Sequence, residues 1–505
     1  MAKNSKIASL DTKDLSRKSM QSGMINMGSQ VISVVLQLAS TIVLARMLTP
    51  DAYGLIGMVM AVIAFAGLFK DLGLSTATIQ RKELNTAQVS VMFWVNVTIG
   101  FVLTLALALS SPLVVWFYER PELKWMTVVL GVNILIASLG AQHSALLNRN
   151  MQFKELSIAR IVSSIISFAV SVIGALYGLE HWALVWGAVS ASFFNTLLVW
   201  VFSGWKPGLP SKNTGSREMI KYGLNLTGFE FVNYFSRNLD NVLIGKVLGS
   251  DILGYYSRAY RLIMFPISTI RTPLAAVALP GLSSLQVEKE RFKSYYTQLL
   301  SILSLVTMPI ATLTFAAANP IVRVVLGDTW LPVVPIMQYL AIAAFLQPVS
   351  GLFGVVLLAL GLAKRHLYCG FISAIVISIT FLVSVNYGVE VLAISYAITG
   401  YVLFVPIFLY ASKGTGITLT DFLSGVWRSA LASIAAAILI VYIDFSTLFQ
   451  SSFINLVLIA IEFIVFYVLC IIILPGGKSQ LLKLLNRLKQ AVSKKKVIKE
   501  NDDFK

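Results

Sequence analysis

LARMLTPDAYG, residues 44–54, and IGKVLGSDILG, residues 244–254, stand two hundred positions apart and read in one register. Gly54 aligns with Gly254, Asp51 with Asp251, Leu48 with Leu248 and Arg46 with Lys246. The register holds upstream, where GMINMGSQ from Gly23 meets GLNLTGFE from Gly223. Each copy describes a spanning helix, a basic residue at its outer end, a short turn with Asp capping the next helix, and a Gly just inside that helix. Chance likeness between apolar helices does not reproduce shared Gly, Asp and basic positions without a gap. An internal repeat is the expected organisation.

The surroundings are apolar. Of 505 residues, 57% are hydrophobic and 12% charged, with mean hydropathy +0.79, whereas soluble domains carry about a quarter charged residues. Apolar runs of about 20 residues, enough to cross about 30 Å of hydrocarbon, recur along the chain. They predict an all-α integral membrane protein with about fourteen transmembrane helices. The spans fall near 20–45, 52–74, 88–111, 124–147, 157–178, 182–203, 219–247, 252–283, 295–318, 332–361, 366–387, 389–412, 424–444 and 453–474. Six spans separate the copies, and an even spacing keeps both halves in one orientation, as in transporters with parallel repeats whose sites lie between the halves. The expected layout is an N-terminal tail 1–18, an N-lobe 19–203, a cytoplasmic linker 204–218, a C-lobe 219–412, two extra helices in 413–475 and a basic tail 476–505.

The net charge of +17 has a topological origin. Most Lys and Arg fall on one side of this layout, and the opposite side holds only Arg46, Arg120, Lys124, Lys246 and Arg323. Basic loops face the cytoplasm, so both termini are expected there and no nucleic-acid partner is needed. The polar start, MAKNSKIASLDTKDLSRKSMQ, has no apolar h-region and is not expected to be a removable signal peptide. The tail KSQLLKLLNRLKQ alternates Leu with basic residues at helical spacing, which suits the anionic inner leaflet.

Polar residues within the spans mark the candidate site. Asn26, Gln30, Ser33, Gln37 and Ser40 share one face of the first helix. The second copy places Glu230, Asn233, Arg237 and Asp240 on the matching face, so a face polar in one half is ionised in the other. Polar stripes also serve as interhelical glue at about 1 kcal/mol or less per contact, which suits the first stripe. An Arg near mid-bilayer costs about 2.5–3.5 kcal/mol and faces a cavity or a partner. Arg237 and Asp240 are i, i+3 neighbours able to neutralise each other in part; Arg258, Arg261 and Arg271 follow on the next helix without an acid on the same span. The surplus predicts a cationic patch in a wet cavity, with guanidinium forks suited to phosphate oxygens. The alternative pairs these arginines with Glu230 or with backbone carbonyls.

Motifs for chemistry are missing. GGKS at Gly476 to Ser479 lacks the upstream Gly of a phosphate-binding loop, which argues against direct ATP drive. His143, His181 and His366 are scattered over different loops and give no metal cluster. Cys369 and Cys470 read as inert core residues. Outer connections are short, the longest near FYERPELKW at about a dozen residues. They leave little room for a carboxylate active site, so an enzyme is not expected.

LARMLTPDAYGL, FKDLGLSTATIQ before FWVN, and RNLDNVLIGKVLGSDILGYYSRAYRL together resemble the polysaccharide transporter branch of the multidrug/oligosaccharidyl-lipid/polysaccharide exporter superfamily, the Wzx-type flippases, with likeness to colanic-acid and teichuronic-acid exporters. The resemblance implies transfer of undecaprenyl-diphosphate-linked sugars across the bacterial cytoplasmic membrane by alternating access, for cell-surface polysaccharide. It implies no cofactor, a lipid-linked oligosaccharide substrate among membrane lipids, and polysaccharide polymerases or ligases as partners. Arg237, Arg258, Arg261 and Arg271 would meet the diphosphate; Asn26, Gln30, Gln37 and Asn233 would line the polar path. Tyr255, Tyr256 and Tyr260 would contact sugars or anchor at the interface, and Glu230 and Asp240 are the carboxylates for ion coupling. The runner-up is a cation-coupled drug antiporter of the same superfamily, and a membrane glycosyltransferase or polymerase comes third.

Overall fold

The computed structural model describes residues 12–71, 73–81, 84–210, 238–443 and 452–482, and of residues 12–27, 80 and 443 the backbone alone. Within them, thirteen helices are long and apolar enough to cross a membrane. The protein is an all-helical, multi-pass membrane protein. The expected span 219–247 falls mostly on 211–237, outside the described residues, and only its end, 238–248, is described.

The chain forms two compact units, Met1–Ser257 and Arg258–Lys505. The first holds α1 (Thr12–Met47), α2 (Pro50–Gly67), α3 (Leu74–Gln80), α4 (Thr86–Tyr118), α5 (Leu123–Arg149), α6 (Phe153–Leu176), α7 (His181–Ser203) and α8 (238–248). Here α4 packs on α5, α5 on α7, α6 on α7 and α1 on α6. In lipid such contacts rest on close packing and hydrogen bonds rather than on hydrophobic burial. Gly187 accordingly receives Ser171 of the facing helix against its Cα, and its carbonyl accepts from the Ser167 hydroxyl at 2.7 Å. Ser29 and Ser157 share a 2.9 Å hydrogen bond between α1 and α6.

α9 (Ser250–Ser284) begins in the first unit and continues into the second. The second unit adds α10 (Lys289–Ala316), α11 (Ala318–Val325), α12 (Val333–Ala359), α13 (Ala363–Ser384), α14 (Val389–Ser412), α15 (Leu419–Ile443) and α16 (Ser452–Ile473). α10 packs on α12, α12 on α14 and α13 on α14, the same neighbour order as α4 to α7. Tyr296, Phe353, Phe408 and Phe422 fill the core of this unit. α15 and α16 attach to α10: Ser304 Oγ donates to Gly425 O at 3.2 Å, and Tyr467 Oη to Leu305 O at 2.8 Å.

Four local readings change. Thr49, not Asp51, caps α2, its hydroxyl accepting from Ala52 N, with Pro50 in the first turn. Thr-Pro-Asp is a cap followed by a proline whose missing N–H costs nothing there, and it leaves the Asp51 carboxylate for other partners. The expected span 52–74 ends at Gly67, and a separate helix, α3, follows. The connection near FYERPELKW shrinks to residues 119–122, because Phe117 and Tyr118 stay helical and Glu119 closes α4 in the left-handed region at φ 59°. The histidines sit in helices rather than loops: His143 is buried in α5 against Trp200, Trp205 and Phe93.

The start of the expected linker is held down. After Gly204 (φ 58°) ends α7, Trp205 packs on Phe93. Gly208 N then donates to Ser90 Oγ at 3.0 Å while Gly208 O accepts from Trp94 Nε1 at 2.9 Å. The linker beyond Pro210, to residue 218, lies outside the described residues. The C-terminal tail is described only to residue 482.

Candidate functional site

The two aligned turns meet each other inside the first unit. A Cβ added to Gly54 would overlap the carbonyl oxygen of Ser250, and one added to Gly254 would overlap that of Pro50. Residue 54 thus faces residue 250, and residue 254 faces residue 50. Positions paired by sequence are exchanged in space, as across a local two-fold. Only glycine permits backbones this close.

Charged groups surround this contact. Asp51 Oδ1 accepts from the Ser250 hydroxyl and from Arg120 Nη2, the latter at 2.8 Å. Lys246 Nζ lies 2.7 Å from Glu119 Oε1. That hydrogen bond and charge hold the Glu119 carboxyl below its ordinary value. Its contribution is therefore present at neutral pH and lost as pH falls through the lowered value. Being solvent-exposed, the pair contributes little stability.

Asp240 on α8 is buried, accepting from Tyr256 Oη at 2.9 Å and from Asn241 N at 2.8 Å. Tyr256 is 1% exposed, so it serves as a core partner of Asp240 rather than as a sugar contact. Arg237, Glu230 and Asn233 lie outside the described residues, as does the side chain of Asn26. On α1, Gln30 is exposed and Gln37 half-buried.

In the second unit the arginines of α9 stand apart from its packed face. Ala259, Ile263 and Ile267 are buried, Arg258 is half-buried, and Arg261 and Arg271 are exposed. At about 100° and 1.5 Å per residue, the three lie within an arc of about 140°. Arg258 and Arg261 sit about 4.5 Å apart along the axis, and Arg271 about 15 Å further on. The helix carries Pro266 between the two stations. Arg271 lies over Gly351 of α12, where an added Cβ would come 2.7 Å from Nη2. A glycine here makes the seat for that guanidinium.

FKDLGLSTATIQ builds a wall in the first unit that sequence reasoning did not interpret. Asp71 accepts from Ser75 N, Ser75 Oγ and Asn96 Nδ2 at the start of α3. At its end, Arg149 Nη1 donates to the carbonyls of Thr78, Ile79 and Arg81 at 2.9, 3.3 and 2.6 Å. Thr78 Oγ1 also donates to Gln142 Oε1 at 2.9 Å. Hydrogen bonds from a charged donor contribute about 1.5–3 kcal/mol. Arg149→Met should therefore lower the stability of the purified protein by about 2 kcal/mol, read as a drop in melting temperature; an unchanged melt would show that α3 does not depend on this residue.

Residues 43–335 match the family described as Polysaccharide biosynthesis protein. The teichuronic acid biosynthesis protein TuaB of Bacillus subtilis (strain 168) is 28% identical over 67% of this chain and 71% of its own length. The lipopolysaccharide biosynthesis protein WzxC of Escherichia coli (strain K12) is 25% identical over 65% and 67%. In fold, the chain is similar to the lipid II flippase MurJ in an inward closed conformation, with TM-score 0.71 over 89% of this chain and 98% of that one, at 15% identity.

Proposed function

Since this chain belongs to the polysaccharide biosynthesis protein family, we propose that it moves undecaprenyl-diphosphate-linked oligosaccharide units from the inner to the outer leaflet of a bacterial cytoplasmic membrane, for cell-surface polysaccharide. The observation that carries this reading is the set of arginines on α9, with Arg271 seated on Gly351. Exposed to hydrocarbon, each would cost about 2.5–3.5 kcal/mol; a water-filled path removes that cost and gives the charges an anion to bind. A diphosphate is shorter than the roughly 15 Å between the stations. It would therefore engage Arg258 and Arg261, with Arg237, separately from Arg271, as two steps along one path. Asn26, Gln30, Gln37 and Asn233 would pass the sugars.

By the positive-inside reading both termini are cytoplasmic, and the turns at residues 48–54 and 248–254 lie at the outer face. Their contact would close that face, and its opening would be the outward step of alternating access. Buried Asp240, held by a tyrosine hydroxyl and a backbone amide, is the carboxylate best placed for ion coupling; Glu230 is the second. Transport rather than catalysis is the role, with polymerases or ligases taking the product.

The test is reconstitution. Proteoliposomes given a fluorescent lipid-linked oligosaccharide should move it to the opposite leaflet without cleaving it. Proton-linked efflux of a cationic dye without lipid transfer would select the antiporter, and glycosidic products would select the enzyme.

A further inference from the structure

A cavity of about 490 Å³ opens in the first unit between the end of α2 and helices α3, α5, α6 and α7. Lys70 and Arg160 line it, together with the polar wall residues Ser144, Asn148, Ser192 and Asn195. It runs inward along α5 from Asn148 to Ala137, about 16 Å by helical rise. The volume lies within the range of small-molecule sites. Basic residues at these positions also serve as topological anchors. Anchoring asks only that they sit at the membrane surface; it does not ask two of them to converge on one cavity with four hydroxyl and amide side chains.

The charges are available to a ligand. Asp71 is the one acid among the described lining residues, and its oxygens are already engaged by Ser75 and Asn96. Neither the Lys70 nor the Arg160 side chain has a hydrogen-bond or ion-pair partner among the described residues. The same holds for the side chains of the four wall residues named above. Neutral donors and acceptors on the wall match sugar hydroxyls, and cations in the same lining match an anionic substituent.

We propose that this pocket is a second binding site, distinct from the arginines of α9, for a sugar that carries a phosphate or carboxylate group. It would read the sugar portion of the translocated substrate; that role rests on the function proposed above, whereas the binding itself does not.

Equilibrium binding of three soluble probes separates the sources of charge: glucose 1-phosphate, glucuronic acid and glucose. It is measured on the purified full chain carrying Arg258→Gln, Arg261→Gln and Arg271→Gln, so that the α9 arginines do not contribute. At least one acidic probe should bind tenfold or more tighter than glucose, and Lys70→Gln with Arg160→Gln should abolish that difference. Asn195→Leu, which fills the pocket and keeps both charges, should weaken every probe. Binding of glucose as tight as the acidic probes, no binding of either acidic probe, or an undiminished response in Asn195→Leu would each overturn the site. Because no transport is measured, a flippase that fails here loses the pocket and keeps its function, while binding without flipping does the reverse.

Discussion

Gly54→Ala and Gly254→Ala should each reduce lipid-linked oligosaccharide transfer at least tenfold while leaving insertion unchanged. The added methyl would occupy the space of a facing backbone carbonyl, that of Ser250 in one case and Pro50 in the other. A backbone cannot rotate away as a side chain can. Overpacking of this kind costs about 1–3 kcal/mol or more, and it falls only on the state in which the turns touch. Any cycle that must close here is biased against closure, and 1.4 kcal/mol is already tenfold in population. Gly67→Ala is the control, since nothing lies within 4 Å of an added Cβ there. Cysteine placed at Ser250, which is 2% exposed, should be protected from a membrane-impermeant thiol reagent and become reactive in the Gly54→Ala background. Normal transfer in both alanine variants would remove the contact from the mechanism.

The second large effect concerns charge. Combined Arg258→Gln, Arg261→Gln and Arg271→Gln should lower transfer by a hundredfold or more with normal membrane levels. Charge-assisted hydrogen bonds to an oxyanion contribute about 1.5–3 kcal/mol each, and each 1.36 kcal/mol is tenfold in rate. Arg271→Gln alone should slow transfer less than the Arg258→Gln, Arg261→Gln pair, because it would serve a separate station about 15 Å along α9. Retained transfer in the triple variant would mean that the guanidiniums hold the bundle together rather than handle a diphosphate. Gly351→Ala offers a milder probe of the same idea, as it would displace only the seat of Arg271.

The helical class and the spans were legible because a chain that is 57% hydrophobic with 12% charge has few other ways to satisfy its backbone in lipid. The aligned turns were legible too, since Gly, Asp and a basic residue recur in one register. Their reciprocal contact was not. Sequence aligns Gly54 with Gly254, but it does not show that they approach each other's partner. The role given to Asp51 failed because Ser, Thr and Asp are all good caps, and Thr49 came first in the chain. The structural use of Asp71 and Arg149 was hidden for a different reason. Both bond to a seven-residue helix that breaks the apolar pattern, and no periodicity announces so short an element. The pocket lined by Lys70 and Arg160 draws on four helices and the segment after α2, none with a motif of its own.

The exchange of partners at the turns has one more consequence. Residue 54 against 250 and residue 254 against 50 is the arithmetic of an isologous interface, in which one patch meets its own twin. The backbone contact is reciprocal, but the side-chain contact is not: Ser250 gives its hydroxyl to Asp51, while Pro50 has none to give Asp251.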